Sequence, residues 1–162
     1  MNGSKWKLLW VSLAVLAADI ATKVAIVRML PEYSSRSVIP GFLNLTHVQN
    51  RGVAFGLFNA LGSIGPPVLV AAGLVALVVV VVYFKQTASK DRLLLWALTL
   101  ILGGALGNLL DRIATGSVTD FVDVYYGSYH WHTFNVADSA ISVGIGLMLL
   151  DLLRERSKSK GA

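Results

Sequence analysis

The sequence predicts a mainly α membrane protein, with four transmembrane helices and a small extracytoplasmic β-rich platform. Three observations carry that class. The 162 residues are 55% hydrophobic and 14% charged, with a mean hydropathy of +0.66, far from the balance of a soluble domain. The apolar residues gather in long runs instead of recurring at helical or strand periods. The lysines and arginines stand mostly between and beyond those runs, which accounts for the net charge of +5 without calling on nucleic acid.

The runs are Leu8 to Met29, Pro66 to Phe84, Leu93 to Leu110 and Val136 to Leu153. Each has about the 17 to 25 residues needed to cross ~30 Å of hydrocarbon. The first run follows Lys5 and Lys7, and Leu16-Ala17-Ala18 loosely resembles a signal cleavage site. Asp19 and Lys23 continue the segment and further spans follow, so it reads as a retained helix. Lys5 and Lys7, then Lys85, Lys90 and Arg92, then Arg154, Arg156, Lys158 and Lys160 fall on one side of four spans. That side is expected to be cytoplasmic, with both termini inside and a short cytoplasmic loop at 85–92.

The opposite side receives the loops 30–65 and 113–135. In the first, Val38 to Val48 is β-branched and apolar and follows Pro31 and Pro40, as short strands on a membrane surface would. Asn50-Arg51-Gly52 reads as a turn. Residues 154–162 read as a short solvated tail, and the whole chain as one membrane domain.

Alternating spans bring the end of the third to the start of the fourth, so Asp111, Asp120, Asp123 and Asp138 are expected at one interface. Asp111 and Arg112 close the third span ahead of Gly116, a helix-ending residue. Asp138 opens the fourth, near free backbone amides and the positive end of the helix dipole, where an ionised carboxylate is favoured. Gly103, Gly104 and Gly107 against Ala140 and Gly144 would let these two helices approach closely. Asp120 and Asp138 would then share a site, one holding a proton while the other accepts one from water, as in aspartic proteases. Singly, each admits a blander role: Asp138 as a helix cap, Asp120 as a solvated loop residue, Asp111 with Arg112 as a surface ion pair. Asp19 and Lys23, four apart, can pair on one helix face inside the membrane.

Other chemistries fit less well. The chain has no cysteine, which removes thiolate and cysteine–metal chemistry. Ser12 lies in the cytoplasmic half of the first span, away from Lys23, so a serine–lysine pair is not formed. His130 and His132 have metal-compatible spacing, but His47 is distant in sequence, and interfacial histidines around Trp131 are the preferred reading.

Several blocks then stand in an order that resembles the signal peptidase II family, across nearly the whole chain: Asp19 with Lys23, Asn50 to Gly56, Gly107 to Arg112, Gly116 to Phe121, and Phe134 to Ala140. The resemblance implies a four-helix membrane aspartyl endopeptidase of the bacterial cytoplasmic (inner) membrane. It would remove the signal peptide from prolipoproteins on the amino side of a diacylglyceryl-modified cysteine, with its site near the outer face. Asp120 and Asp138 match the catalytic pair. Asn50, Asn108, Arg112 and Asn135 match polar residues lining the site, and Asp111 a supporting acid. Gly52, Asp19 and Lys23 lie in the matching blocks and join the supporting set. The implied partners are the lipid-modified prolipoprotein and membrane lipids, with no nucleic acid, no obligate protein partner, no metal and no cofactor. The loop from Glu32 to Phe58, with Phe42, Phe55 and Phe58, would clamp the peptide and shield the site from water.

Two other classes stay open on the sequence. A proton-coupled transporter would use Asp19 and Lys23 as a relay. An assembly subunit without chemistry would use the Gly103 and Gly107 face to bind a partner helix.

Overall fold

The structure, a computed structural model, describes residues 5–52 and 64–160. A 3₁₀ turn at Trp6–Leu8 leads into α1 (Leu9–Met29), followed by β1 (Ser35–Ile39), β2 (Leu43–Asn50), α2 (Gly65–Gln86), α3 (Arg92–Thr115), β3 (Val118–Tyr126), β4 (Tyr129–His130) and α4 (Val136–Lys160). Among the described residues, four helices are long and apolar enough to cross a membrane.

α3 is the central helix. It packs against α1, α2 and α4, and α2 joins the bundle chiefly through it. Small residues explain the approach. A Cβ on Gly104 would meet the Ala137 carbonyl of α4, and one on Gly144 would come 2.8 Å from the Ala97 carbonyl of α3. Gly103 differs from expectation: it faces Ser12 and Val15 of α1, not α4. Gly107 sits where α1 and α4 both reach α3, facing Asp19 and Ala137. Ser12 Oγ adds a hydrogen bond to the Thr99 carbonyl at 2.7 Å, the interhelical kind that small-residue seams admit. Residues pointing away from these seams are apolar and exposed, such as Val75, Val78, Val79 and Val82 on α2, as a helix flank in lipid requires.

At the end of the bundle away from β3, Leu8, Phe84, Leu95 and Leu98 form a buried cluster. Lys5 Nζ donates there to the carbonyls of Lys85 and Thr87 at 2.8 and 2.9 Å and lies 3.4 Å from that of Phe84. These are C-terminal carbonyls of α2, which lack helical partners and favour a cation. Lys5→Met is therefore expected to lower the unfolding temperature in detergent, with a loss of about 1–2 kcal/mol.

One helix end follows the sequence expectation and one departs from it. α3 runs past the apolar segment to Thr115 and stops at Gly116 with φ of 76°, as expected of that glycine, so Asp111 and Arg112 lie near its end. α4 continues to Lys160 where a solvated tail was expected from residue 154. Arg154, Glu155 and Arg156 are good helix formers, and no Gly or Pro intervenes before Gly161.

The expected strands in the first loop are present as the β1–β2 hairpin, turning at Gly41 with φ of 81°. The loop 113–135 supplies β3 and β4, completing an antiparallel sheet in the order β1-β2-β3-β4. β3 places Val118, Thr119 and Asp120 opposite Asn50, Gln49 and Val48 of β2. Its first residues, Val118 to Phe121, are buried, which fixes the strand against the end of the bundle.

Candidate active site

Asp120 and Asp138 reach one cavity of about 670 Å³, which Asn50, Arg112, Trp131, His132, Phe134 and Ser139 also line. Asp120 comes from β3 and is 3% exposed. Asp138 comes from the first turn of α4, where the chain forms a reciprocal cap. Asn135 Oδ1 accepts the Asp138 N–H at 2.9 Å, and Asp138 Oδ2 accepts the Asn135 N–H at 3.3 Å, as in a capping box. Asp138 is thus a cap residue and a cavity residue at once.

Three asparagine amides orient the pair, and each has its oxygen already committed. Asn50 Oδ1 accepts the Gly52 N–H at 2.9 Å, so its Nδ2 turns to Asp120 Oδ2, also at 2.9 Å. Gly52, at φ of 89°, takes a left-handed conformation that suits glycine. Asn135 is fully buried; its Nδ2 donates to Asp120 Oδ1 at 2.7 Å. Asn108 Oδ1 accepts Lys23 Nζ at 3.1 Å and Asn135 Nδ2 at 3.2 Å, which leaves Asn108 Nδ2 to donate to Asp138 Oδ1 at 2.7 Å. An amide cannot donate from its oxygen, so no amide can flip without losing a partner.

The Asp120 carboxyl is pushed up to about 6, by burial above all and then by the charge of Asp138, against the donors Asn50 and Asn135 and the charge of Lys23. A carboxyl so placed holds a proton below that pH and gives it up above. Arg112 lines the same cavity, and its Nη1 lies 3.3 Å from the Asn108 carbonyl.

Behind the dyad is a buried ion cluster. Asp19 and Lys23 pair as their spacing predicted, Nζ to Oδ2 at 2.7 Å, and Asp111 Oδ2 joins at 3.0 Å. Asp111 thus turns to Lys23, and among the described residues no ion pair links it to Arg112. Removing one member of such a cluster strands a charge, at a cost of about 3–5 kcal/mol.

One expected member is elsewhere. Asp123 stands three residues from Asp120 on a strand, so the two point to opposite faces. Asp123 accepts from Asn44 at 3.0 Å and pairs with His130 at 2.8 Å, and it does not join the other three aspartates. Trp131 and His132, read as interfacial belt residues, line the cavity, as do Ser142 and Val143. The α4 members could have been found from helical spacing alone: positions 138, 139, 142 and 143 share one face. Phe55 and Phe58 of the expected clamp lie outside the described residues.

Comparison with known proteins agrees with this architecture. The family description signal peptidase (SPase) II matches residues 11–154. The lipoprotein signal peptidase of Solibacter usitatus is 43% identical over 160 residues, covering 98% of each chain. That of Geobacter sulfurreducens is 46% identical over 148 residues, covering 91% of this chain and 92% of its own. A bacterial membrane enzyme solved by the in meso method at 2.3 Å superposes with a TM-score of 0.84 at 32% identity, over 94% of this chain and 90% of that one. A second, at 1.9 Å, gives 0.76 at 30% identity, over 91% and 92%. With a match across most of its length in sequence and in fold, the chain belongs to the signal peptidase II family.

Proposed function

We propose that this protein is an aspartyl endopeptidase that removes the signal peptide from diacylglyceryl-modified prolipoproteins, cutting on the amino side of the lipidated cysteine. The observation that carries the reading is the pair Asp120 and Asp138, contributed by separate segments, lining one cavity and joined through Asn135.

In the mechanism, Asp138 is the base and Asp120 holds the proton. Asp138 takes a proton from water as the water oxygen bonds to the scissile carbonyl carbon. The Asp120 proton passes to the carbonyl oxygen, giving a neutral tetrahedral intermediate. Collapse returns that proton to Asp120, breaks the C–N bond and moves the Asp138 proton to the leaving amine. Arg112 and Asn50, at the cavity wall, are placed to hold the substrate backbone. Asn108 and Asn135 hold the dyad. No step runs through a metal or cofactor.

The substrate explains the setting. Two acyl chains and an apolar signal helix keep it in the bilayer, so the peptide bond must be met at the membrane surface, beside the sheet. The basic residues at the opposite end of the bundle support a cytoplasmic position for that end, with the dyad near the outer face. The chain works without an obligate protein partner. The titratable groups Asp19, Lys23, Asp111, Asp120 and Asp138 are bunched at one end, which argues against a transporter's through path.

The test is cleavage of a diacylglyceryl-modified prolipoprotein by purified protein in detergent with chelator present, read by product mass. A new amino terminus at the lipidated cysteine supports the reading; no cleavage, or cleavage that the chelator stops, overturns it. The rate is expected to fall as pH rises through about 6, where Asp120 loses its proton. Asn50→Ala removes a donor that favours the charged carboxylate, so Asp120 should keep its proton to higher pH. The alkaline limb of the pH–kcat profile is then expected to move upward, whatever happens to KM.

A further inference from the structure

Lys23 reaches three acceptors, and each of them also holds a segment that carries the dyad. Its ammonium, on a side chain 4% exposed, lies 2.7 Å from Asp19 Oδ2 and 3.0 Å from Asp111 Oδ2, and donates to Asn108 Oδ1 at 3.1 Å. Asp19 Oδ1 accepts the N–H of Ala137, the residue before Asp138, at 2.9 Å. Asp111 Oδ2 accepts the N–H of Thr119, the residue before Asp120, at 3.1 Å. Asn108 donates to Asp138 itself at 2.7 Å.

We propose that Lys23 is the positioning residue of the dyad: through Asp19, Asp111 and Asn108, its one charge sets the place of both aspartates. The proposal rests on the reading of Asp120 and Asp138 as the catalytic pair.

Packing alone does not ask for this arrangement. A buried ion pair is weak evidence for stability, since apolar residues of similar volume often serve as well. What an apolar replacement cannot do is hold three acceptors that lead to three different backbone or side-chain atoms of the site. An ammonium has three N–H donors and no acceptor, so it can hold all three at once. It also fixes a direction. With its oxygen on Lys23, the Asn108 amide must present its NH₂ to Asp138, and a cation on the far side of an amide strengthens that donation.

The charges around the dyad make the electrostatic part testable. Asp19 faces it from α1, Asp111 and Arg112 from α3, Asp120 from β3, His132 from the segment between β4 and α4, and Asp138 from α4, while β2 contributes the uncharged Asn50. Four carboxyls therefore share two cations, Lys23 and Arg112. Without Lys23 they share one. Asp120, on which the Lys23 charge acts directly, then keeps its proton to higher pH.

The experiment compares wild type, Lys23→Met and Lys23→Arg, each purified in detergent. It measures kcat and KM for a lipidated prolipoprotein across pH, together with the unfolding temperature. Lys23→Met is expected to lower kcat about a hundredfold with little change in KM, and to move the alkaline limb upward by about one pH unit. Lys23→Arg keeps the charge but not the geometry, so kcat should fall while the limb stays in place. A Lys23→Met protein that is less stable but cleaves with the wild-type kcat and pH profile overturns the proposal. Should Lys23→Met not fold, Lys23→Arg decides alone: a shifted limb, or an unchanged kcat, overturns it. Normal cleavage by Asp120→Asn and Asp138→Asn would instead sink the dyad reading beneath it, so the two failures are distinguishable.

Discussion

Asp138→Asn is expected to lose cleavage by about a thousandfold or more while the protein stays folded, because a positioned general base contributes roughly 10²–10⁴ by itself. Asparagine keeps an oxygen for the short bond from Asn108 Nδ2 at 2.7 Å and gives up only the longer contact with the Asn135 N–H at 3.3 Å. The start of α4 should therefore survive. Asp120→Asn is expected to be as inactive but less stable. Both of its oxygens accept short bonds, from Asn135 at 2.7 Å and Asn50 at 2.9 Å, and an NH₂ group must face one of those donors. A buried donor left without an acceptor costs about 1–3 kcal/mol. Cleavage rates at saturating substrate, with unfolding temperatures of both variants, check the pair. Equal stability would mean that the asparagine amides are not held as firmly as their partners imply, and retained cleavage by either variant would remove the dyad.

Asn135 belongs to both halves of that argument. Its backbone N–H serves Asp138, its side-chain oxygen caps α4, and its Nδ2 reaches Asp120 and Asn108. A single buried amide thus couples the fold of a helix end to the geometry of the dyad. This is why the two aspartates can come from a strand and a helix and still keep a fixed relation.

The parts of this arrangement legible in the sequence were those set by local pattern. Run length and flanking charge revealed the spans; the i, i+4 spacing of Asp19 and Lys23 revealed their pair; Gly116 marked the end of α3. The β1–β2 hairpin was legible from Val38 to Val48, whereas β3 was not. Its segment from Val118 to Tyr126 is interrupted by Asp120 and Asp123, whose polarity resembles that of a loop until the bundle end that buries it is known. For the same reason Asp123 was grouped with the other aspartates: chain order places it at the right interface, and only strand alternation separates it from them. The contacts of Asp19 with Ala137 and of Asp111 with Thr119 cross between elements, and no sequence spacing announces such a bond. The central place of α3 follows from how three helices use its faces, a property of the assembled bundle.

Gly104→Leu is expected to destabilise the protein by about 1–3 kcal/mol or more and to abolish cleavage in the fraction that remains folded. Even the first carbon of a side chain at this position would press on the Ala137 carbonyl and come 2.8 Å from Ile141 Cγ1. A flexible side chain could turn aside, but a backbone carbonyl in the first turn of α4 can yield only by moving the helix. That turn carries Asp138, and Ala137 is also where Asp19 holds α4 in place. Displacement on the order of 1 Å is enough to cost about a hundredfold in rate when reacting groups must meet in a fixed geometry. Gly146→Leu on α4 is the matching control, since a Cβ there meets nothing within 4 Å among the described residues, and it should change neither stability nor rate appreciably. Unfolding temperature and cleavage measured on both variants separate the close approach of α3 and α4 from a general intolerance of leucine for glycine. An active Gly104→Leu protein would show that Asp138 does not depend on the α3–α4 seam for its position.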